Sequence, residues 1–348
     1  MANQTRQLGE LLRGEGAQIT FVQVNAPYRP RWVGRLRGVR AMFRFFPYVV
    51  RLWRAAGQVD LFHIMANSGW SWHLYAAPAV WISRVRGVCS VVNYRGGEAE
   101  TFLARSAGSV LNTLRHANAL AVPSGFLQRV FAGLGLSSEI VPNIVDLDRF
   151  RPANARQGSS FAHVVVARAF EDIYDVPTAL RAFSLVRMDV PDARMSLAGS
   201  GPERDNLRSL ARGLGIAEAV TFRGSLDRDE MAALYRSASV VINPSRVDNM
   251  PNSVLEAMAS GAPVVSTNVG GVPFILEDGV SGLLVPAGDH TAMADAVKRV
   301  LRESHFAHRL RDAALREVQN YAWPRVRQRW IDVYALALSD PRGEARAA

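Results

Sequence analysis

The chain is poor in three things, and each shortage excludes something. It has one cysteine, Cys89, in 348 residues, which excludes an intramolecular disulfide framework and a cysteine-rich zinc site. It has one lysine, Lys298, among 41 basic residues. The place of the positive charge is therefore more informative than its chemistry. It has no apolar run approaching the roughly 18 residues that a spanning helix needs. The opening MANQTRQLGELLRGEG (1–16) also lacks the apolar stretch of a signal peptide. These absences lead us to expect a cytoplasmic protein, with peripheral attachment at the inner membrane face as the variant.

What is present points to two folded domains. At roughly 150 residues per domain, two is the expected number. Hydrophobic residues make up 49% and charged residues 21%, enough to bury sizeable cores. The formal charge is +10, and residues 1–150 hold 17 Arg against 8 acids. The basic excess thus belongs to the first half.

Short β-branched runs alternate with helical patterns. The strands expected are AQITFVQV (17–24), DLFHI (60–64), VCSVVNY (88–94), ALAVP (119–123) and EIVPN (139–143), then FAHVVVA (161–167), RMSLAG (194–199), AVTFRG (219–224), SVVINP (239–244), PVVST (263–267) and GLLVP (282–286). Most are continuously apolar, as in the buried strands of a parallel sheet. The fold class expected is α/β, doubly wound, in two Rossmann-like domains over 1–152 and 153–323. A linker is read in 146–160, which is polar and carries Pro152. A last helix over 324–340, with Trp330, Val333, Tyr334 and Leu336 as its buried stripe, is expected to complete the first domain. The first domain opens on a helical pattern with Leu8, Leu11 and Leu12 where a doubly wound unit normally opens on a strand. Three readings are open: the start is misassigned, the chain is truncated, or the sheet tolerates the gap of a missing first strand.

Residues 199–271 carry the richest chemistry. SVVINPS ends a strand in a loop, and NSVLEAMASG is a short helix with Asn252 or Ser253 as cap and Gly261 as stop. Ligands of open α/β sheets sit at the carboxyl ends of strands, and a helix N-terminus there offers free N–H groups to an anion such as a diphosphate. Glu256, read in the first turn, can accept hydrogen bonds from a ribose diol. Asp248, in the approach loop, can reach a sugar hydroxyl. Gly199, Gly201, Gly270 and Gly271 stand at strand ends, where backbone can approach a ligand closely. Pro202 and Asn249 fall in the same loops. Asp227-Arg228-Asp229 reads as a helix start and not as a metal motif; no metal ligand set is expected.

These residues resemble the retaining family 4 of glycosyltransferases, whose fold, GT-B, is two facing Rossmann-like domains with a deep cleft. Its hallmark is a glutamate, seven residues, and a second glutamate followed by Ala-Met-Ala. This chain has Asp248, seven residues, and Glu256-Ala257-Met258-Ala259. The resemblance extends through VPNIVDLDRFRP (141–152), GSGP (199–202), Pro244-Ser245, SGAPVVST (260–267), Gly270-Gly271 and GLLVPAGD (282–289). It implies a sugar transferred from a nucleoside-diphosphate sugar to a glycolipid, lipid-linked saccharide or polysaccharide, without a metal or other cofactor. It further implies that Glu256 holds the ribose, Asp248 contacts the donor sugar and Arg168 binds the diphosphate. The chain departs from the family in two places. Asp248 is one methylene short, and the lysine expected five or six positions after Arg168 is replaced by Ile173 and Tyr174. Arg246 is the candidate replacement cation. The departures keep open a non-catalytic sugar-nucleotide-binding homologue and a nucleotide-sugar epimerase.

In the first half, the resemblance implies a histidine near the transferred sugar, with His63 and His73 as candidates. Arg95, Gly96, Gly97 and Glu98 stand at a strand end suited to acceptor hydroxyls or phosphate. Between Gly16 and Val59 there are eight Arg and no acid. Arg37, Arg40, Arg44, Arg51 and Arg54 share one helical face, with Met42, Phe46, Val49 and Trp53 roughly opposite and Pro47 expected to kink the helix. Such a helix suits an anionic membrane surface. Nucleic acid is not expected as a partner, because no binding motif accompanies the charge.

Overall fold

The computed structural model of the protein describes residues 2–24, 40–153 and 161–339. The chain divides into two compact units, Met1–Pro142 with Arg327–Ala348, and Asn143–Val326.

The first unit contains α1 (Ala2–Gly14), α2 (Arg40–Ala55), β1 (Leu61–Ala66), α3 (Ala77–Val85), β2 (Cys89–Tyr94), α4 (Ala99–Leu114), β3 (Ala119–Val122), α5 (Gly125–Ala132) and β4 (Glu139–Ile140). Its four strands are parallel in the order β1-β2-β3-β4. Among the described residues no strand flanks the outer edge of β1. The run AQITFVQV is not a strand. Phe21 turns back on α1, with the Arg13 guanidinium 4.9 Å from its ring centroid and Arg13 Nη2 donating to the Ile19 carbonyl at 2.9 Å. These contacts with α1 replace the ladder that its β-branched residues suggested.

Helix α2 continues through Pro47, and its faces differ from those expected. Tyr48, Leu52 and the following Ala56 are buried, whereas Met42, Phe43, Phe46, Val50 and Trp53 are exposed. At about 100° per residue the buried stripe, the exposed apolar stripe and the stripe of Arg44, Arg51 and Arg54 are three separate faces. Arg37 lies outside the described residues.

The second unit contains β5 (His163–Ala167), α6 (Val176–Asp189), β6 (Arg194–Ala198), α7 (Arg204–Gly213), β7 (Val220–Gly224), α8 (Arg228–Ser237), β8 (Val240–Asn243), α9 (Asn252–Ala259), β9 (Val264–Thr267), β10 (Leu283–Val285), α10 (His290–Arg302) and α11 (Ser304–Glu317). Helix α12 (Trp323–Leu338) begins here and lies mostly in the first unit. The six strands are parallel in the order β10-β9-β8-β5-β6-β7, the doubly wound order whose sequence reverses direction between β5 and β8. Strands β5, β8 and β9 are buried along their whole length, which is why their sequences are apolar without alternation. Edge strand β7 alternates. Along β5, Val164 and Val166 join one core with Phe183, Leu207 and Val297, while Val165 and Ala167 join the other with Tyr235, Leu255 and Ala314. Each large apolar side chain buried this way contributes about 1.5–3 kcal/mol.

The described part of the segment read as a linker is anchored at one residue. Phe150 is 1% exposed and belongs to the second unit's core. In α12 the buried stripe is Val326, Trp330, Val333 and Ala337; Leu336, expected in it, is exposed. No helix among the described residues is long and apolar enough to cross a membrane.

Candidate functional site

The reversal point between β5 and β8 brings Arg168 and Asn243 together at the carboxyl ends of adjacent strands. Arg168 follows β5 directly, and Asn243 ends β8. Arg168 Nε donates to Asn243 Oδ1 at 2.7 Å, and its Nη2 pairs with the Asp248 carboxylate. The two charged side chains are 10% and 12% exposed. Ser245 Oγ also donates to Asn243 Oδ1 at 2.9 Å, and Asn243 Nδ2 donates to Ser266 Oγ at 2.8 Å. Asn243 thus fixes the guanidinium plane. Burial pushes the Asp248 carboxyl up from its ordinary value, and the Arg168 charge opposes that shift.

Two glycines let the backbone close around this pair. A Cβ on Gly270, which has φ +51°, would lie 2.2 Å from the Asp248 carbonyl oxygen. One on Gly201 would lie 2.3 Å from the Phe170 carbonyl oxygen. Gly199 and Gly201 thus share a close approach to the Arg168–Phe170 loop, with Phe170 N–H donating to the Ser200 carbonyl at 3.0 Å. Pro202 lies exposed in the following turn before α7.

Helix α9 starts beside the same loops. The residue at its cap position is Pro251, which offers no side-chain cap, and not Asn252 or Ser253 as expected. The physical reason is a buried clamp: Asn143 Nδ2 donates to the Met250 carbonyl at 2.8 Å and to Asn252 Oδ1 at 2.7 Å. That bond engages the Asn252 side chain inside the unit. Ser253 Oγ is buried without a hydrogen-bond partner. Pro251 contributes only its carbonyl, which accepts from the N–H groups of Val254 and Leu255 at 3.1 and 3.3 Å. Glu256 is the fifth residue of α9, one or two residues further in than a cap at Asn252 or Ser253 would put it, and half-buried. Tyr235 of α8 donates to its Oε2 at 3.5 Å. Burial pushes the Glu256 carboxyl up to about 7, opposed by Arg228, the Tyr235 hydroxyl and Arg168. Asp227 caps α8, accepting from the N–H groups of Asp229 and Glu230. Among the described residues no cluster of three or more His, Cys, Asp or Glu is arranged to hold a metal.

Arg246 lies against the Ile173-Tyr174 stretch. Its N–H donates to the Ile173 carbonyl at 2.9 Å, and its guanidinium pairs with Asp175 at 3.2 Å and Asp172 at 3.3 Å. The Tyr174 ring centroid is 5.2 Å from Arg168 Cζ. The structure therefore gathers Arg168, Asp248, Arg246, Glu256, Ser253 and the two glycine loops in one region. Sequence reasoning missed Asn243, Tyr235, Asn143 and Asp175, whose roles come from contacts between distant segments.

In the first unit, the loop after β1 meets the loop after β2. Ser68 Oγ lies 2.9 Å from Tyr94 Oη, and a Cβ on Gly96 would lie 2.2 Å from Ser68 Oγ. Gly97 and Glu98 continue this loop into α4. His73 sits with its ring 6.3 Å from that of Trp70 and 5.8 Å from that of Phe102. His63 has other partners. Asn93 Nδ2 donates to His63 Nε2 at 3.0 Å, and His63 Nδ1–H donates to Tyr334 Oη at 2.8 Å. The Asn93 amide orientation follows from its oxygen accepting Arg95 Nε at 2.9 Å. Both ring nitrogens of His63 are engaged inside the unit. Burial, with the Arg95 charge second, holds the ring down at about 3, so it stays neutral.

Residues 162–303 match the family described as Glycosyl transferases group 1. The D-inositol 3-phosphate glycosyltransferase of Saccharomonospora viridis is 36% identical over 218 residues, 58% of this chain and 50% of that protein. Its counterpart in Streptomyces griseus is 31% identical over 220 residues, 58% of this chain and 47% of that protein. The chain thus spans about half the length of these curated relatives. Sucrose-phosphate synthase from Thermosynechococcus elongatus superposes with a TM-score of 0.76 over 95% of this chain and 92% of that one, at 20% identity. Anabaena HepE in complex with UDP-glucose gives 0.72 over 83% of this chain and 82% of that one, at 18% identity. Most of the second unit thus matches the glycosyl transferases group 1 model, and the chain has the GT-B fold.

Proposed function

We propose that the protein is a glycosyltransferase that takes a sugar from a nucleoside-diphosphate sugar. The observation that carries this is the buried Arg168–Asp248 pair at the sheet's reversal point, beside the start of α9 and Glu256. In the transfer, the bond from the anomeric carbon to the diphosphate oxygen breaks, a bond to the acceptor hydroxyl oxygen forms, and that hydroxyl's proton passes to the departing diphosphate. Negative charge grows on the departing diphosphate, and fixed donors aimed there lower the barrier. Arg168, Arg246, Ser253 and the first N–H groups of α9 are assigned to that charge. Glu256 is assigned to the ribose hydroxyls and Asp248 to the donor sugar. The reading invokes no metal and no cofactor beyond the sugar nucleotide, and it places the transfer in the retaining class.

The acceptor we propose is a glycolipid, lipid-linked saccharide or polysaccharide, met by Arg95, Gly96, Gly97, Glu98 and His73. The three-faced α2 supports a seat on an anionic membrane surface at the cytoplasmic side, through its exposed apolar and arginine stripes. Incubation with UDP-glucose and a panel of other nucleoside-diphosphate sugars tests the reading. We expect nucleoside diphosphate release from at least one, and losses of about 100-fold or more in Arg168→Ala and Glu256→Gln. Binding without turnover would instead favour a non-catalytic homologue, and an isomerised donor formed without acceptor would favour an epimerase.

A further inference from the structure

Asp175 stands in a conformation that its own helix does not explain. It is the one residue other than glycine with positive φ among the described residues, at 43°. Such a backbone is strained and persists where the surroundings hold it. Asp175 also occupies the cap position of α6, where aspartate is among the most favourable residues, yet its side chain caps no N–H.

The carboxylate is turned elsewhere. It is 2% exposed, and its Oδ2 accepts from Thr178 Oγ1 at 2.9 Å. Arg246 grips it as a fork, Nε to Oδ2 at 3.2 Å and Nη2 to Oδ1 at 3.3 Å. A two-pronged pair fixes a guanidinium plane as a single contact does not. The Arg246 main chain is tied to the same turn through Ile173. Asp172 completes the set differently. It reaches Arg246 Nη1 at 3.3 Å with 84% of its side chain exposed, and exposed pairs of this kind contribute little. One partner of Arg246 is therefore built in, and the other is easily displaced. Both arginines of the region thus face carboxylates, Arg168 the buried Asp248 and Arg246 the buried Asp175 and the exposed Asp172, and the contact with Asp172 is the one an anion can replace.

We propose that Asp175 is a positioning residue that presents Arg246 to the diphosphate of the donor, and that Asp172 holds the phosphate's place on that guanidinium until the donor arrives. The proposal rests on the donor reading above and adds residues to it.

Calorimetric titration of the full chain with UDP, GDP and ADP, and with the matching monophosphates, tests it. Arg246→Ala and Asp175→Asn should each weaken the tightest-binding diphosphate by about tenfold or more, with the monophosphate changed less than about twofold. The double variant should bind no more weakly than Arg246→Ala alone, because Asp175 acts through Arg246. Asp172→Ala should tighten the diphosphate. Asparagine tolerates this backbone region, so Asp175→Asn is expected to fold. If it does not, opposite shifts in Arg246→Ala and Asp172→Ala still carry the proposal, and no shift in both overturns it. Additive losses in the double variant, or equal losses of mono- and diphosphate, also overturn it. Absence of any nucleotide binding by the unaltered chain removes the donor reading as well. Binding abolished by Arg168→Ala but untouched at 175 and 246 removes this inference alone.

Discussion

Glu256 combines a half-buried position with a carboxyl pushed up to about 7 by that burial. A carboxylate accepts from a ribose diol, whereas a protonated acid has lost part of that capacity. We therefore predict that the donor KM rises as pH falls through about 7, with kcat changing less. Removing the Tyr235 hydroxyl, which opposes the shift, should move that limb upward in Tyr235→Phe. A donor KM that is flat between pH 6 and 8 in both proteins would contradict the assignment of Glu256. The linked stability has the opposite sense. A carboxyl raised in the folded state stabilises it below the unfolded value and loses that contribution as pH rises through about 7. Acidification thus weakens the ligand's grip at this residue without weakening the fold through it.

At the scale of elements, α2 is the exception to the usual amphipathic helix. A surface helix normally has one apolar face, turned inward. Here Tyr48 and Leu52 anchor the helix, while Met42, Phe43, Phe46, Val50 and Trp53 face outward beside the arginine stripe. The Arg86 guanidinium, at the end of α3, lies 4.9 Å from the Trp53 ring centroid and adds a basic group beside the exposed apolar stripe. We predict that the protein sediments with phosphatidylglycerol vesicles at low salt and is released as salt rises. Phe46→Glu should abolish sedimentation while leaving the thermal midpoint within about 2 °C, since the side chain is exposed. Sedimentation unaffected by Phe46→Glu would assign the contact elsewhere.

At the scale of the whole molecule, the last helix returns the chain to its first unit. Trp330 is fully buried, stacks on Tyr334 with ring centroids 5.6 Å apart, and lies 4.8 Å from the His63 ring. Deleting a buried tryptophan costs about 3–5 kcal/mol. Trp330→Ala should therefore lower the urea midpoint of the first unit, while the second unit, bounded by Asn143 and Val326, unfolds as before. Near-ultraviolet circular dichroism and fluorescence along the titration can separate the two. A single transition shifted as a whole would show that the units unfold together.

Strands of the second unit were legible because a buried parallel strand must be continuously apolar, and HVVVA, VVIN and VVST can be little else. Legible for the same kind of reason were the Asp248–Glu256 spacing and the helix between Pro251 and Gly261, since both are local. AQITFVQV misled because β-branched composition reports propensity, and contact with α1 overrode it. The faces of α2 misled because periodicity shows which residues share a side but not which side the protein covers. The partners of His63 are not legible in one dimension, and only Tyr334, distant in the chain, shows that its nitrogens are engaged. Local backbone preference and the pattern of apolar residues thus determined the order and type of the elements. The partners of Arg168, Arg246 and His63 were decided by tertiary structure, because hydrogen bonds and burial act between atoms close in space, however far apart they lie along the chain.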